Sequence, residues 1–416
     1  YKMAGDEERA GRYRRSAMLA LRGIDRWRRP DGSYSTTKNQ FDFTLRVHYA
    51  DYSGRVQYNG NMEYHQAEAF YLHRDDITEW PTWNEIGGYA FQTDDAFAGA
   101  FVNAGGMHMQ IALRGQTALA YGIYWTALGV SRFSRVDWDS RLGPSDGIRD
   151  EKTGAGMSFA PEFMSGGKWT RLAAIPDQYR ADFSTTFIHP LLVKFALDYH
   201  PLPGKTGPTF HEDFVVTPDG VLTTLTSSAA AGQWGITWPM LMNDGAGPLV
   251  INIANNNLAS TRFSAGTDEQ NYIAVGGAST LTTEDVVRSA YGDLEAVRYV
   301  ATGAAANSTF IYPRNAGAPD GATVRDSFMK TATGFKTVLG RVDGNMYVGA
   351  TSAGGEGTSL DIDGDGTPDV TFDQSCKFVL QLAAGKIIAV ETDHAVNFTR
   401  GTNAPIAVTP YVPVRF

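Results

Sequence analysis

The chain reads as a mainly β fold: one N-terminal helix, a large antiparallel β-sandwich of the super-sandwich kind, and a small C-terminal β-sandwich. Three observations predict it. With 45 Gly and 18 Pro in 416 residues, turns must be frequent, which favours many short strands. Aromatic residues make up 12% of the chain, enough to fill the space between facing sheets. Short β-branched or aromatic runs recur between Gly, Pro, Asn and Asp, without the alternating helices that a parallel sheet requires.

The elements follow in order. From Glu8 to Arg29, apolar residues fall at Tyr13, Ala17, Leu21, Ile24 and Trp27, close to a helical period. Pro30-Asp31-Gly32 ends the run with a turn. This is either a lone amphipathic helix on a β domain or the last helix of a larger α domain. Phe41–Tyr49, Met107–Leu113, Phe187–Leu197, Phe210–Val216 and Val221–Thr226 then read as strands. Between the last two, Pro218-Asp219-Gly220 suits a hairpin turn, with Pro presetting φ and Gly accepting a positive one. No fixed-period repeat is present, which argues against a propeller or solenoid. Ala316–Ala322 is a candidate linker, and Val338–Ala350, Phe378–Leu382, Lys386–Glu391 and Ile406–Val414 read as strands of a closing domain. The expected division is residues 1–30, 31–315 and 316–416, in keeping with roughly 150 residues per domain.

The net charge of −9 argues against a nucleic-acid partner, because phosphate binding needs a broad basic face. The arginines are unevenly spread, however. They crowd between Arg9 and Arg29 and thin out in the second half, so an anionic ligand would find its counter-charges in the first half. The single cysteine, Cys376, allows no intrachain disulfide, and its strand-like flanks predict a buried, inert thiol. No apolar run is long enough to span a bilayer. No leader is visible at Tyr1, and the missing initial Met suggests a processed form or a fragment.

The densest chemistry lies in residues 55–73, RVQYNGNMEYHQAEAFYLH. A hydrogen-bonded β edge would account for part of it. The sharper reading is proton abstraction beside a sugar carboxylate. That reaction needs amide or guanidinium groups to neutralise the carboxylate, a base such as His or Tyr, and an acid for the leaving oxygen. Tyr58, Asn59, Asn61, Tyr64 and His65, with Arg46 and Arg55 nearby, supply each part. His48 reads as a core or interface histidine and His73 as a surface one.

Thr44-Leu45-Arg46, Asn59-Gly60-Asn61, Tyr64-His65, Phe70-Tyr71-Leu72-His73, Trp80-Pro81-Thr82-Trp83 and Ile86-Gly87-Gly88-Tyr89 follow one another in an order and spacing that resembles a known family. It is that of the polysaccharide lyases with a helical toroid followed by β-sandwiches, such as the hyaluronate, chondroitin and xanthan lyases. Asn103-Ala104-Gly105-Gly106-Met107 and Leu128-Gly129 extend the resemblance, which covers the first third of the chain. It implies that the N-terminal helix ends an α/α toroid and that the protein, or its β-rich part, cleaves a uronate-containing glycan by β-elimination. It further implies that Arg46 and Asn61 neutralise the uronate and that Tyr64 or His65 carries the protons. Arg55, Tyr58, Asn59, Glu68, Trp80, Trp83 and Arg141 would contact substrate. The family's Asn-Gly-Glu-Asn turn lacks its Glu here, and the family's principal Asn, His and Tyr lie in the toroid, upstream of this chain. A helical companion chain or domain is therefore an expected partner, beside the acidic polysaccharide. No membrane or nucleic-acid partner is expected, and the location would be secreted or periplasmic.

Two loops carry further possibilities. Trp138–Gly147 is polar and aromatic, and Arg132, Arg135 and Arg141 could line a groove for an anionic glycan. An ion-paired loop with Asp137, Asp139 and Asp146 is the other reading. Tyr121, Tyr124 and Trp125 are either sugar platforms or core. Asp361-Ile362-Asp363-Gly364-Asp365-Gly366-Thr367-Pro368-Asp369 alternates carboxylates with glycines, as a structural Ca²⁺ loop would, with Asp361, Asp363, Asp365 and Asp369 as ligands. An EF-hand is excluded because Phe372 stands where its Glu belongs, and an Asp/Gly-rich hairpin turn is the alternative. No catalytic cofactor is expected. No zinc spacing, P-loop, dinucleotide fingerprint or nucleophile elbow is present. Two other functions remain open: a glycoside hydrolase pairing Glu68 with Glu85 or Asp146, and a non-catalytic glycan-binding subunit.

Overall fold

A computed structural model describes residues 1–25, 28, 56–115, 127–139, 142, 148–150, 155–175, 177–229, 232–241, 248–255, 257–276, 279–283, 287–289, 292–303, 306–325, 346–348, 356–360, 366–383, 386–410, 412 and 414–416. The architecture is the expected one, mainly β with an N-terminal helix, α1 (Glu7–Asp25). Every named strand pair among the described residues is antiparallel. Two further helices, α2 (Val56–Tyr71) and α3 (Trp83–Ile86), precede the strands.

A four-stranded sheet runs in chain order: β1 (Gly87–Gln92), β2 (Gly99–Ala104), β3 (Met107–Ala112) and β4 (Gly129–Arg135). The hairpin β5 (Ile148–Asp150) and β6 (Ala155–Met157) follows. A six-stranded sheet uses β7 (Ala160–Ser165), β8 (Lys168–Arg171), β13 (Gln233–Leu241), β17 (Ser279–Thr283), β18 (Val287–Ser289) and β19 (Gly292–Thr302). An eight-stranded sheet uses β9 (Tyr179–His189), β10 (Leu192–Pro201), β11 (Phe210–Thr217), β12 (Gly220–Ser227), β14 (Leu249–Asn255), β15 (Leu258–Phe263), β16 (Glu269–Gly276) and β20 (Asn307–Arg314), in the order β14-β15-β16-β20-β12-β11-β10-β9. The last sheet has seven strands: β21 (Met346–Val348), β22 (Glu356–Leu360), β23 (Val370–Ala383), β24 (Lys386–Thr392), β25 (Val396–Arg400), β26 (Ile406–Val408) and β27 (Val414–Arg415).

The six- and eight-stranded sheets face each other across an aromatic core. Trp238 of β13 stacks on Tyr272 of β16 with centroids 4.6 Å apart, and Phe159 and Tyr299 close around the same indole. Phe195 and Phe214, on adjacent strands, stack at 4.4 Å. The four-stranded sheet closes one side of this core through Val102, Met109, Ile111, Val130 and Phe133. It is tied to both larger sheets by bridges, Val130 to Phe159 and Arg114 to Arg180. A second core, with Phe372, Cys376, Phe378 and Phe398, lies within the seven-stranded sheet. Cys376 is buried there as expected, and burial, with Asp393 and Asp373 nearby, pushes its thiol up to about 12. Among the described residues no helix is long and apolar enough to cross a membrane.

Four local expectations are corrected. Phe187–Leu197 is not one strand but the hairpin of β9 and β10, because Pro190 cannot donate to a ladder and turns the chain. The apolar stripe foreseen on the N-terminal helix is not its packed face. Tyr13 and Ala17 are exposed, and Ala10 and Gly11 are buried instead. Residues 316–322 are not an open linker. The Tyr312 hydroxyl donates to the Pro319 carbonyl, Arg314 Nε donates to the Ala318 carbonyl, and a helical turn over 321–325 buries Val324. Ile406–Val414 divides into β26 and β27. Of Val338–Ala350 only β21 lies within the described residues, and Phe41–Tyr49 lies outside them.

The hairpin at Pro218-Asp219 forms as expected, joining Thr217 of β11 to Gly220 of β12. Gly220 is needed for a different reason, however: its φ is not positive. A side chain there would meet the Ile311 carbonyl oxygen and the Phe310 ring at 2.5 Å. Gly220→Ala is therefore expected to destabilise the fold by about 1–3 kcal/mol through overpacking, read as a lower urea midpoint with an unchanged slope.

Candidate functional site

Three groups of side chains concentrate polar chemistry, the first being the arginines of α1. The Arg14 guanidinium donates to the carbonyls of Arg74 (2.8 Å), Asp75 (3.1 Å) and Ile77. Arg15 donates to Glu85 Oε1 through Nε (2.9 Å) and Nη2 (2.7 Å). Arg12 bonds Glu8 and the Pro81 carbonyl, and its guanidinium lies 4.4 Å above the Trp83 ring. Gly11 lets Trp80 and the Thr78 carbonyl approach α1 closely. These cations strap residues 74–85 to α1. They are not the open counter-charges for an anion that the sequence suggested.

The strap shapes α3. Thr82 caps it, accepting from the Glu85 amide (3.2 Å), while Glu85 Oε2 accepts from the Thr82 amide (2.8 Å). This is a capping box, and Thr82-Trp83-Asn84-Glu85 spells it in the sequence. Burial opposes ionisation of Glu85, but Arg15 and Thr82 outweigh it and hold the carboxyl below its usual range. Glu85 is thus committed to structure, which removes it from the hydrolase pair. Trp80 and Trp83 remain 44% and 67% exposed, with the Trp83 ring braced by Arg12.

The second group is the proton-carrier segment. It forms α2, neither a β edge nor a strand at Phe70–His73. The run from Glu63 to Ala69 is rich in Glu, Gln and Ala, strong helix formers that override the turn signal of Asn59-Gly60-Asn61. Asn61, Tyr64, His65 and Glu68 fall at i, i+3, i+4 and i+7, one helical face, and all four are exposed. His65 Nδ1 lies 3.4 Å from Glu68 Oε2, and the Tyr64 and His65 rings meet edge to face at 5.4 Å. At the helix end Phe70 and Tyr71 are 84% and 87% exposed. Arg46, Arg55 and the side chains of Tyr58 and Asn59 lie outside the described residues.

The third group was not foreseen as a site. On the outer face of the four-stranded sheet, cross-strand register aligns Tyr89, Asn103, His108 and Ser134 in one row, and Phe91, Phe101, Gln110 and Arg132 in the next. The Tyr89 hydroxyl donates to Asn84 Oδ1 (2.8 Å) and lies 3.5 Å from His108 Nδ1. Asn103 Oδ1 accepts from the Gly106 amide (3.2 Å). Its Nδ2 makes no hydrogen bond of strict geometry, yet lies near enough to the Tyr89 hydroxyl to favour the phenolate; burial outweighs this and raises the Tyr89 pKa. Burial and the nearby Arg132 lower the pKa of His108. The face therefore combines a neutral imidazole, a protonated phenol, an amide and an exposed guanidinium. The alternation of apolar and polar residues in β3 was readable; which strands would lie beside it was not.

Gly87 and Gly88 place Tyr89. Both have positive φ (75° and 81°), open to glycine at little cost, and side chains there would strike Gly105 and Pro190.

The remaining expectations divide. Trp138 is buried and its Nε1 donates to the Glu269 carbonyl (3.3 Å), while the Asp139 amide donates to Asp268 (2.7 Å). Arg135 bonds the Pro313 carbonyl (2.9 Å) and Asn315. These residues join sheets and do not line a groove. Arg141, Asp146, Tyr121, Tyr124 and Trp125 lie outside the described residues, as do Asp361, Asp363 and Asp365. Asp369 is described, and its amide donates to the Leu360 carbonyl (2.9 Å). Among the described residues no cluster of three or more His, Cys, Asp or Glu could hold a metal.

The His108 shift has a checkable sign. A depressed imidazole pKa favours folding with the ring neutral. That stability is complete above the unfolded value of about 6.5 and is lost as pH falls through the folded value. Side-chain NMR should show His108 titrating below the free imidazole value of about 6.5, and Arg132→Gln should move it upward.

No protein-family profile matches the chain, and no curated protein does. Among solved structures it is similar to the heparan sulfate lyase HepC from Pedobacter heparinus, at 10% identity and a TM-score of 0.36, over 80% of this chain and 50% of that one. It is similar to the chondroitin AC lyase of Streptomyces coelicolor A3, at 14% identity and 0.38, over 83% and 50%. A galactose mutarotase-like protein from Clostridium acetobutylicum gives 7% identity and 0.36, over 55% and 99%. The chain spans about half the length of the two lyases it matches.

Proposed function

We propose that the protein is a polysaccharide lyase, or the β-rich part of one, that cleaves an acidic, uronate-containing glycan by β-elimination. The supporting observation is the contact of Tyr89 with His108 beside Arg132 and Asn103 on a half-open sheet face. In this reading Arg132 neutralises the uronate carboxylate, which lowers the cost of the developing negative charge, while Asn103, fully buried beneath the face, supports the Tyr89 hydroxyl from behind. His108, neutral at pH 7, takes the proton from the carbon beside that carboxylate. The electron pair released forms the new carbon–carbon double bond as the bond to the glycosidic oxygen breaks. Tyr89, kept protonated by burial, gives its proton to that oxygen. Their 3.5 Å separation allows His108 to return a proton to Tyr89 after release, so no water is consumed. A secreted or periplasmic location accompanies a polymeric substrate.

A second placement keeps the same reaction but uses α2, with Arg46 and Asn61 neutralising the uronate and Tyr64 or His65 carrying protons. Its support is the common solvent-facing side of Asn61, Tyr64 and His65.

Incubation with acidic polysaccharides should produce ultraviolet absorbance from the unsaturated product. New reducing ends without absorbance would identify a hydrolase, and neither signal would leave a binding subunit. His108→Ala should lower kcat about 10²–10⁴-fold, the usual range for a general base, while His65→Ala should leave it within a few-fold. The reverse pattern would move the reaction to α2.

A further inference from the structure

Tyr89 stands at the end of a file of aromatic rings. Phe91 lies 5.9 Å from Tyr89, Phe101 stacks on Phe91 at 5.4 Å and 26°, and Phe97 stacks on Phe101 at 6.4 Å and 20°. Phe91 and Phe97 are 52% and 63% exposed, although the inner face of the same sheet is fully packed. An outward strand face is ordinarily polar, so this apolar file is out of place for mere folding.

Phe97 is also deliberately held. Its amide donates to Asp94 Oδ1 (3.1 Å), the Ala98 amide donates to the Asp94 carbonyl (2.8 Å), and Ala98 takes a φ of 50°. A non-glycine residue in that region stores strain, and such strain collects at ligand sites. Gly99 leaves room for the ring, since a side chain there would touch Phe97 at 2.8 Å. The turn thus lays an aromatic ring across the sheet and leaves it in water.

Charge selects the occupant. Arg132 ends the row that begins with Phe91 and Phe101, with Gln110 between, and it is exposed. Arg114, also exposed, donates to the Asp95 carbonyl (3.1 Å) at the Phe97 end. The exposed carboxylates of Asp94 and Asp95 lie at that same end, so the anionic group of a ligand is placed at the Arg132 end of the row. Rings at intervals of 5.4–6.4 Å suit the apolar faces of successive sugars, and a guanidinium suits a carboxylate.

We infer that Phe97, Phe101 and Phe91 form a binding track for successive sugar rings of an acidic oligosaccharide, with Arg132 holding a carboxylate and the chain running toward Tyr89. This inference rests on the lyase reading of the Tyr89–His108 pair, because the track would deliver the polymer to it.

The test is calorimetric binding to the full chain of an oligogalacturonate hexamer and a hyaluronan hexasaccharide, with maltohexaose as the neutral control. Ultraviolet product formation is measured on the same preparations. The Phe91→Ala/Phe97→Ala double variant, altered only at exposed positions, should weaken acidic binding at least tenfold, and Phe97→Trp made alone in the parent protein should preserve it. Arg132→Gln should weaken acidic binding about tenfold and flatten its salt dependence, leaving any weak maltohexaose binding unchanged. Unaltered affinity in the double variant, or no binding of either acidic probe to the parent protein, overturns the track. Product formation that is untouched by the Phe91→Ala/Phe97→Ala double variant overturns the track and leaves the lyase reading standing. Track-dependent binding without product overturns the lyase reading instead.

Discussion

Burial of aromatic surface between the six- and eight-stranded sheets is the constraint on which the rest of the molecule depends. Trp238 is wholly buried among Phe159, Tyr272 and Tyr299. Burying an indole and its neighbours removes a few hundred Å² of apolar surface from water, at about 25 cal/mol per Å². That gain fixes which face of each strand turns inward. Once Val102, Met109 and Phe133 are committed to this core, period-2 alternation forces Phe101, Asn103, His108 and Arg132 to the other side. The candidate site is thus a consequence of core packing: a one-residue slip of β2 or β3 would bury it and expose the core.

The helices are held by different physics. α1 is attached through charge-assisted bonds from Arg12, Arg14 and Arg15 to carbonyls and carboxylates of residues 74–85, with little apolar burial beyond Ala10 and Gly11. α2 presents Tyr64, Phe70 and Tyr71 to solvent. The sheets supply the stability, and α1 positions the segment that leads into α3 and β1. Asn84, at the second position of α3, then meets the Tyr89 hydroxyl, so the clasp and the sheet face are mechanically continuous.

Buried polar groups impose register. Glu162 on β7 and Arg298 on β19 form an ion pair across β13, and Arg298 also lies 4.4 Å over the Trp169 ring. Tyr199 donates to Glu212 (3.3 Å) between β10 and β11, and burial there raises the Glu212 pKa well above its usual value. Breaking a buried pair on one side costs more than the pair contributes, so these groups penalise misaligned strands more than they stabilise the right ones.

The sequence by itself determined the fold class, the N-terminal helix, the hairpin at Pro218-Asp219, the buried Cys376 and the strands at Met107–Leu113, Phe210–Val216, Val221–Thr226, Phe378–Leu382 and Lys386–Glu391. Each depends on local alternation, turn chemistry or composition. It also spells the capping box at Thr82–Glu85, a local signal that starts α3 directly after Trp80-Pro81. Only the tertiary structure decided that Gly220 is required for space, that Arg12, Arg14 and Arg15 of α1 are engaged by carbonyls and carboxylates, and that Tyr89, His108 and Arg132 share one face. The reason is range. Alternation tells which residues of a strand lie together, but not which strands lie side by side, and Tyr89, His108 and Arg132 meet only through the pairing of four strands whose order no local pattern encodes.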